Sequence, residues 1–301
     1  MRVAVLGLGN MGGAVARCLA GAGHEIYGWS RSEATRLRAS SYCTPIETLG
    51  RGLEAAGVIV GCLPNYATSQ ALFDTVTASA WRDKTLIQLA GGSPDEAESM
   101  AAWAAEHGVA YVDGAIATFP KRVGAAATTI FFSGNRVAYD RAKPVLDALG
   151  GRNLFVSDKA SGAEAVDMAW LSLYYGVSLG LLHGVAFCEA EGISPDVMFR
   201  AVPSFITEIE AAAKEYQGML TSQDFRGDQT ALDVHLAAMG HLLDAANRYR
   251  LDPRFMEVLS GVFGDACKMG HGQHEIAAAI AVVRGAVVRG AVVRGTPGTS
   301  A

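Results

Sequence analysis

The longest apolar segment of the chain, residues 162–191, limits the fold more than any other feature. It contains no proline, and its apolar residues surround nearly the whole circumference of a helix of about 30 residues. The segment is long enough to cross a bilayer. However, Glu164, Asp167 and His183 interrupt it, and three glycines spaced four residues apart favour close packing in a soluble core. We therefore expect a central helix that is buried on most sides, and no membrane segment.

Asp167 is the unusual residue of this segment. An acid within an apolar helix has to be paired, protonated or functional, because its charged form is unfavourable in a buried position. The alternative is a purely structural role, in which backbone groups or a helix end form hydrogen bonds with this carboxyl group. We favour the functional role, and the alternative stays open at this point.

A glycine-rich turn near the amino terminus predicts a cofactor. Residues 3–6 are typical of a buried β-strand, and an apolar-periodic helix continues to residue 19. Between them lies the pattern G-x-G-x-x-G, whose glycines let the backbone approach a pyrophosphate at the amino end of the helix. The residues of this turn that we expect to bind a dinucleotide are Gly7, Leu8, Gly9, Asn10, Met11 and Gly12.

The end of the second predicted strand, residues 24–29, indicates which dinucleotide binds. NAD enzymes usually place an acid there to hold the ribose hydroxyls, whereas this chain has Ser30, Arg31 and Ser32. The planar guanidinium of Arg31 suits the 2′-phosphate of NADPH. The alternative is that Glu33, a few residues beyond the usual position, is the acid that holds the ribose hydroxyls. We predict NADPH.

Strand and helix patterns alternate through the first half of the chain. The further predicted strands are residues 58–63, 85–89, 111–113, 127–133 and 153–156. This order predicts an α/β fold with a Rossmann-type, doubly wound parallel sheet, in which ligands bind beyond the carboxyl ends of the strands. The further residues predicted to contact the cofactor are Cys62, Leu63, Pro64, Ala90, Gly91, Ala115 and Ile116. Phe119, in the apolar stretch after residue 113, is a candidate for the substrate pocket.

The second half of the chain has helical periodicity throughout. The predicted helices begin at Ser194-Pro195-Asp196 and include residues 206–220, 231–249 and 254–269. Met239 and His241 are candidates for the substrate pocket, although residues at such spacings more often belong to a core. We predict a dinucleotide-binding domain (residues 1–160), a long helix with an all-α dimerisation and substrate domain (161–285), and a mobile tail (286–301). In that tail the pentapeptide AVVRG of residues 281–285 occurs twice more.

Composition narrows the classes of function. The formal net charge of −5 gives no support for binding to nucleic acid or to an anionic membrane. Five scattered cysteines without a C-x-x-C pair predict neither a metal site nor disulfides, and they are typical of a reducing cytoplasm. No signal peptide is expected, because the first residues already form the strand.

The motifs together resemble those of the NADPH-dependent imine reductases, a branch of the β-hydroxyacid dehydrogenase superfamily. The resemblance covers residues 1–285. It rests on the glycine turn, on Tyr111-Val112-Asp113-Gly114-Ala115-Ile116 with Pro120, Gly124 and Phe132-Ser133-Gly134, and on Gly270-His271-Gly272.

The resemblance implies a reaction at C=N bonds. In the parent superfamily the long helix carries a catalytic lysine, and here Asp167 occupies that position. The absence of an ammonium group implies reduction of cyclic imines or iminium ions rather than of carbonyls. Asp167 would stabilise the iminium as a carboxylate or donate the proton as an acid. Tyr175 matches a tyrosine of members that also join carbonyls to amines, although a loop asparagine of those members is replaced by Gly91 or Gly92.

The resemblance also implies a homodimer with exchanged helical domains. The site would then lie between the sheet of one subunit and the helices of its partner. Two other functions stay open. One is a hydroxyacid dehydrogenase or carbonyl reductase on the same scaffold, and the other is a cofactor-sensing binding protein without turnover.

Overall fold

The computed structural model describes residues 1–227 and 229–285, so the predicted tail of residues 286–301 lies outside the described residues. The contacts divide the chain into two units, Met1–Tyr174 and a second unit that begins at Tyr175. This division falls inside the long helix. The domain boundary after residue 160 stays a prediction.

An eight-stranded sheet forms the centre of the first unit. Its strands are β1 (Arg2–Leu6), β2 (Glu25–Trp29), β3 (Thr44–Ile46), β4 (Val58–Gly61), β5 (Thr85–Gln88), β6 (Ala110–Ile116), β7 (Thr129–Gly134) and β8 (Arg152–Ser157). They lie in the order β3-β2-β1-β4-β5-β6-β7-β8. Because β1 lies between β2 and β4, the strand order reverses beside it, and this is where doubly wound sheets bind ligands.

The Rossmann-type prediction is confirmed, except that the last two strands of the sheet, β7 and β8, run opposite to the others. The strands from β1 to β6 are parallel, but β7 pairs antiparallel with β6, so that Asp113 lies opposite Ser133. Residues 117–128 connect the two strands as a return loop with one short 3-10 turn. Antiparallel neighbours need no crossover helix, which explains why this connection contains none.

Helices cover both faces of the sheet. They are α1 (Asn10–Gly21), α2 (Glu33–Arg38), α3 (Leu49–Ala55), α4 (Tyr66–Phe73), α5 (Ala78–Trp81), α6 (Pro94–Glu106) and α7 (Arg136–Leu149). One face buries Leu19 and Leu146, and the other buries Phe73, Trp81 and Met100. These two apolar layers hold the carboxyl ends of the strands in fixed positions, and the connecting turns project from those ends.

The rest of the described chain is helical, as predicted. Its helices are α8 (Gly162–Ala190), α9 (Pro195–Ser222), α10 (Leu232–Tyr249), α11 (Arg254–Ala266) and α12 (Ile280–Val283). α9 is a single helix with Pro203 in its interior, where the sequence pattern had indicated a separate segment from residue 206.

The long helix α8 is largely exposed in the single chain. Ala163 and Glu164 are its buried residues, whereas Leu173 is 58 % and Leu182 is 65 % exposed. The expected burial on most sides is therefore not achieved within one chain. Among the described residues, α8 is the one helix long and apolar enough to cross a membrane, by length and composition alone.

Candidate functional site

A cleft of about 730 Å³ lies in the first unit, at the carboxyl ends of the parallel strands. The predicted residues that line it are Gly7, Leu8, Gly9, Asn10, Met11, Gly12, Ser30, Arg31, Ser32, Cys62, Leu63, Pro64, Gly91, Ala115, Ile116 and Asp167. The further lining residues are Trp29, Thr68, Leu89 and Gly114. The cleft thus brings together the turns that follow β1, β2, β4, β5 and β6.

Ala90 is the predicted cofactor residue that does not line the cleft. It is 1 % exposed, while its neighbours Leu89 and Gly91 face the cleft. Consecutive residues of an extended segment point to opposite sides, which explains why one of the three turns inward. Gly91 of this segment lines the cleft as predicted, and a contact between Ala90 and the cofactor stays a prediction.

The glycine turn has the geometry that a dinucleotide requires. Gly7 has a φ of +98°, and a Cβ there would overlap the carbonyl oxygen of Cys62, while a Cβ on Gly12 would overlap the carbonyl of Gly7. A Cβ on Gly9 would meet no atom within 4 Å. Gly9 precedes the first residue of α1, and no side chain caps that helix. Its first N–H groups therefore face an open space and suit a pyrophosphate.

The turn after β2 leaves one guanidinium available for a ligand. Nη1 of Arg36 donates a 2.5 Å hydrogen bond to the carbonyl oxygen of Ser30, so this side chain holds the loop. Ser32 caps α2, because its Oγ accepts a hydrogen bond from the Thr35 N–H. Within residues 1–174, the exposed guanidinium of Arg31 makes neither a hydrogen bond nor an ion pair. These residues fit the 2′-phosphate of NADPH.

The opposite end of the cleft is apolar apart from one carboxyl group. Leu89, Ala115 and Ile116 line it together with Asp167, which is half-buried. Burial raises the pKa of the Asp167 carboxyl above its usual value. Within residues 1–174 this carboxyl has no hydrogen-bond partner, so its oxygens are available to a substrate. Burial raises the pKa of the Cys62 thiol to about 12, which favours the neutral thiol over the thiolate.

Phe119 lies beside a neighbouring cleft rather than in this one. Its ring is 51 % exposed, and its centroid lies 5.8 Å from that of Tyr174, which stacks on Trp170. The predicted catalytic residue Tyr175 and the predicted substrate-pocket residues Met239 and His241 belong to the second unit. Their roles, like that of Phe119, stay predictions.

A buried cluster of acids and phenols next to the cleft was not found from the sequence. Asp113 and Glu164 are 0 % and 1 % exposed, and the hydroxyl of Tyr66 lies 2.6 Å from Asp113 Oδ1 and 3.0 Å from Glu164 Oε1. The Tyr111 hydroxyl donates to the same Asp113 oxygen at 2.6 Å. Glu164 Oε2 accepts a hydrogen bond of 3.3 Å from the Gly92 N–H. One signal was available, since Glu164 is an acid in the same apolar helix as Asp167.

Burial is the main cause of unusual acidities in this cluster. It raises the pKa of Asp113 to about 7, although the hydrogen bonds from Tyr111 and Tyr66 act in the opposite direction. It also raises the pKa of Glu164 to about 7, and the nearby charge of Asp113 adds to this effect. The cluster therefore retains protons that exposed acids would lose.

Family models match both halves of the chain. Residues 2–157, just over half of the chain, match the NAD binding domain of 6-phosphogluconate dehydrogenase. Residues 160–285 match the C-terminal domain of the NADPH-dependent reductive aminase-like type. The two models meet near the start of α8.

Individual relatives agree with this assignment over nearly the whole length. An NADPH-dependent reductive aminase from Aspergillus oryzae is 25 % identical over 284 residues, which cover 92 % of this chain and 95 % of the relative. The structure of an imine reductase from Myxococcus stipitatus in complex with NADP+ is similar with a TM-score of 0.87 and 26 % identity, covering 93 % of this chain and 99 % of the other.

A reductive aminase from Aspergillus terreus, solved with cyclohexanone and allyl amine, has a TM-score of 0.87 and 25 % identity, covering 94 % of this chain and 99 % of the other. The amino-terminal model, the carboxyl-terminal model and these relatives all indicate one group of proteins. The chain therefore belongs to the imine reductase and reductive aminase family, which is built on the NAD-binding domain of 6-phosphogluconate dehydrogenase.

Proposed function

We propose that this protein reduces the C=N bond of cyclic imines or iminium ions to amines with NADPH, and that it also performs some reductive amination. One observation carries the proposal: the apolar end of the cleft holds a half-buried carboxyl group, Asp167, and no cation. Among the described lining residues, the single cation is Arg31, which follows β2 at the other end. A carboxyl group favours a cationic nitrogen electrophile over an oxygen one.

NADPH supplies the hydride from its nicotinamide ring. The free N–H groups at the start of α1 hold the pyrophosphate, and Gly9 leaves room for it. Arg31 holds the 2′-phosphate with its planar fork. Glu33 is the first residue of α2 and does not line the described cleft, which disfavours it as a ribose-binding acid. Leu89, Ala115 and Ile116 exclude water from the reacting end.

Asp167 supplies the proton that the reaction consumes. Its raised pKa keeps a population of the neutral acid, which donates to the imine nitrogen. The carboxylate that remains then stabilises the iminium ion beside it. At a separation of about 4 Å and an effective dielectric constant of about 20, that attraction amounts to about 4 kcal/mol before desolvation is subtracted. The two roles that the sequence left open are thus successive stages of one proton transfer.

The test is a substrate panel with two variants of the same residue type. Asp167→Asn keeps the shape of the side chain but has no acidic proton, and Asp158→Asn removes an exposed acid near the start of the same helix. We expect NADPH oxidation with 1-pyrroline or 3,4-dihydroisoquinoline to fall at least about tenfold in kcat for Asp167→Asn only. The NADPH affinity of both variants should match that of the parent. An unchanged kcat for Asp167→Asn would remove this residue from the mechanism.

The same panel separates the proposal from its two rivals. A hydroxyacid dehydrogenase or carbonyl reductase would consume more NADPH with a ketone alone than with either imine. A cofactor-sensing protein would bind NADPH tightly and oxidise it with none of these compounds. A ketone combined with an amine tests reductive amination, and Tyr175→Phe tests whether its hydroxyl orients the nitrogen.

We also propose that the protein is a homodimer whose helical domains are exchanged. The exposed apolar side chains of α8 support a partner surface, because soluble monomers seldom expose large contiguous apolar patches. Four polar or charged residues of α8, namely Glu164, Asp167, His183 and Glu189, disfavour a lipid environment for the same helix. The substrate residues Phe119, Met239 and His241 would then be assembled from two subunits. The five free cysteines support a cytoplasmic location.

A further inference from the structure

Glu164 is a buried acid next to the cleft for which the proposed reaction has no direct use. Its two carboxyl oxygens have different partners: Oε1 contacts the Tyr66 hydroxyl at 3.0 Å, and Oε2 accepts from the Gly92 N–H at 3.3 Å. Both oxygens are occupied, so Glu164 cannot donate a proton to a substrate. Its position between α4 and the turn after β5 nevertheless ties it to the cleft, because Gly91 of that turn is a lining residue.

The oxygen–oxygen distances in the cluster indicate that it contains an extra proton. Three close oxygen–oxygen contacts join Tyr66 to Asp113, Tyr111 to Asp113 and Tyr66 to Glu164. Each contact of this length requires a hydrogen atom between the two oxygens, and each phenol supplies only one. Two phenol hydrogens cannot give each of three contacts a hydrogen of its own, and sharing the Tyr66 hydrogen would leave both buried carboxyl groups charged. The third hydrogen has to belong to a carboxyl group.

The distances assign that hydrogen to Glu164. Both phenols lie 2.6 Å from Asp113 Oδ1, the short distance typical of a hydroxyl that donates to a carboxylate. The contact between Tyr66 and Glu164 is longer, at 3.0 Å, as expected between neutral groups. Asp113 is then the charged member of the pair, and Glu164 donates its proton to the phenol oxygen of Tyr66.

The environment of the cluster favours keeping this proton. The titratable groups near Glu164 come from three elements. They are Tyr66 on α4, Tyr111 and Asp113 on β6, and Asp167 on α8, the helix that also carries Glu164. Glu98 on α6 adds a further negative charge near Asp113. Within residues 1–174, neither Asp113 nor Glu164 forms an ion pair with a cation. Losing the proton would therefore place two uncompensated charges in one buried site.

The cluster also holds the turn that lines the cleft. Gly92 packs directly against the ring of Tyr66, and a Cβ at this position would overlap that ring. Its N–H is held by Glu164, which is one helical turn from Asp167 on the same face of α8. One protonated side chain thus connects the wall of the cleft to the helix that carries the proposed acid.

We propose that Glu164 is a positioning residue that works as a neutral carboxylic acid: by donating to Tyr66 and accepting from Gly92, it fixes the turn of residues 89–92 beside Asp167. This inference rests on the proposed function for its effect on catalysis. The stored proton itself does not depend on that function. The two parts are tested by different measurements.

The first measurement is stability as a function of pH, without cofactor or substrate. The pKa of Glu164 is raised from 4.5 to about 7, so the folded state keeps a proton that the unfolded chain loses in this interval. The stability contributed by this proton is complete below pH 4.5 and is lost as the pH rises through 7. Glu164→Gln replaces the neutral acid with an amide whose NH2 group can donate to Tyr66 and whose carbonyl oxygen can accept from Gly92, and it cannot lose a proton.

We therefore expect the Tm of Glu164→Gln relative to the parent to rise by at least about 2 °C between about pH 5 and about pH 8.5. The matched control is Glu106→Gln, which removes an exposed acid at the end of α6 and should follow the parent at every pH. If the difference in Tm between Glu164→Gln and the parent stayed constant with pH, the claim that Glu164 keeps a proton in the folded state would be refuted. This result is independent of whether any imine is reduced.

The second measurement is the pH profile of kcat/KM on 1-pyrroline, with NADPH affinity measured by fluorescence. Glu164→Gln should match the parent near pH 6 within about twofold and should lose less activity than the parent above pH 7. Glu164→Ala leaves Tyr66 and Gly92 without this partner and should lower kcat/KM at least about tenfold at every pH while it still binds NADPH. Full activity of Glu164→Ala would overturn the positioning role. Inactivity of the parent on all imines would instead refute the proposed function.

Discussion

Three neighbouring glycines of the cofactor turn should respond to the same substitution in three different ways. In Gly12→Ala the new Cβ would overlap the backbone carbonyl of Gly7, a rigid partner. In Gly9→Ala it would meet nothing within 4 Å, and the backbone φ of −67° suits alanine. In Gly13→Ala it would make ordinary contacts of 3.5 Å with Leu8 and Arg17. Only the first change creates a clash within the protein.

The expected magnitudes follow from these environments. Gly12→Ala should destabilise by about 3 kcal/mol or more, because the strand–turn–helix junction has to move. Gly9→Ala loses a good N-cap residue and should destabilise by only about 0.5–1 kcal/mol. Its methyl group occupies the open space where we place the pyrophosphate. Losing one charge-assisted hydrogen bond there costs about 1.5–3 kcal/mol, or about 10- to 100-fold in Kd for NADPH.

The assay combines thermal unfolding of the apo-protein with a fluorescence titration of NADPH. Gly13→Ala is the control, since alanine favours the helix interior by up to about 1 kcal/mol and should leave Tm equal or higher. The discriminating result is Gly9→Ala, which should fold like the parent and bind NADPH weakly. If it bound NADPH as tightly as Gly13→Ala does, the pyrophosphate would not pass over Gly9 and the cofactor would have to be placed elsewhere.

Two further predictions concern cofactor choice and assembly. Arg31→Ala should reduce the preference for NADPH over NADH at least about tenfold, whereas Glu33→Gln should leave this preference unchanged. The ratio of kcat/KM for the two cofactors measures the preference. The opposite pattern would indicate that Glu33 binds the ribose. Leu182→Glu places a charge in the exposed apolar surface of α8 and should convert the dimer into single chains. Size-exclusion chromatography with light scattering measures the change in mass. The control is Val137→Glu on the exposed face of α7, which should leave the mass unchanged. If the parent protein were monomeric in this measurement, the proposed homodimer would be refuted.

The local parts of the site could be predicted from the sequence because their signals are local. A strand, a glycine turn and a helix follow one another within residues 2–21, so the pattern itself specifies the geometry. The capping box that starts α6 is equally local, with Ser93 and Glu96 three residues apart. Asp167 was identified for a similar reason, since one acid in an apolar helix is conspicuous without any knowledge of its surroundings.

The parts that were missed depend on contacts between distant residues. Tyr66 and Glu164 are 98 positions apart, and only the order of strands and helices brings them together. The antiparallel edge has a comparable cause, because the loop of residues 117–128 carries no signal that separates a return from a crossover. Ala90 is an example on a smaller scale. The sequence places its segment after β5, but the side to which a single residue of that segment points depends on the packing around it.

The two acids at the start of α8 show how partners, rather than spacing, separate their roles. Glu164 and Asp167 are one turn apart on one face; Glu164 is buried and Asp167 is half-buried. Glu164 has both oxygens engaged by Tyr66 and Gly92, whereas Asp167 lines the cleft with no hydrogen-bond partner within residues 1–174. A group whose lone pairs are already occupied can hold a structure but cannot serve a substrate. We therefore propose that the unpartnered acid, Asp167, is the one that reacts, and we expect that an amide can replace the partnered acid, Glu164.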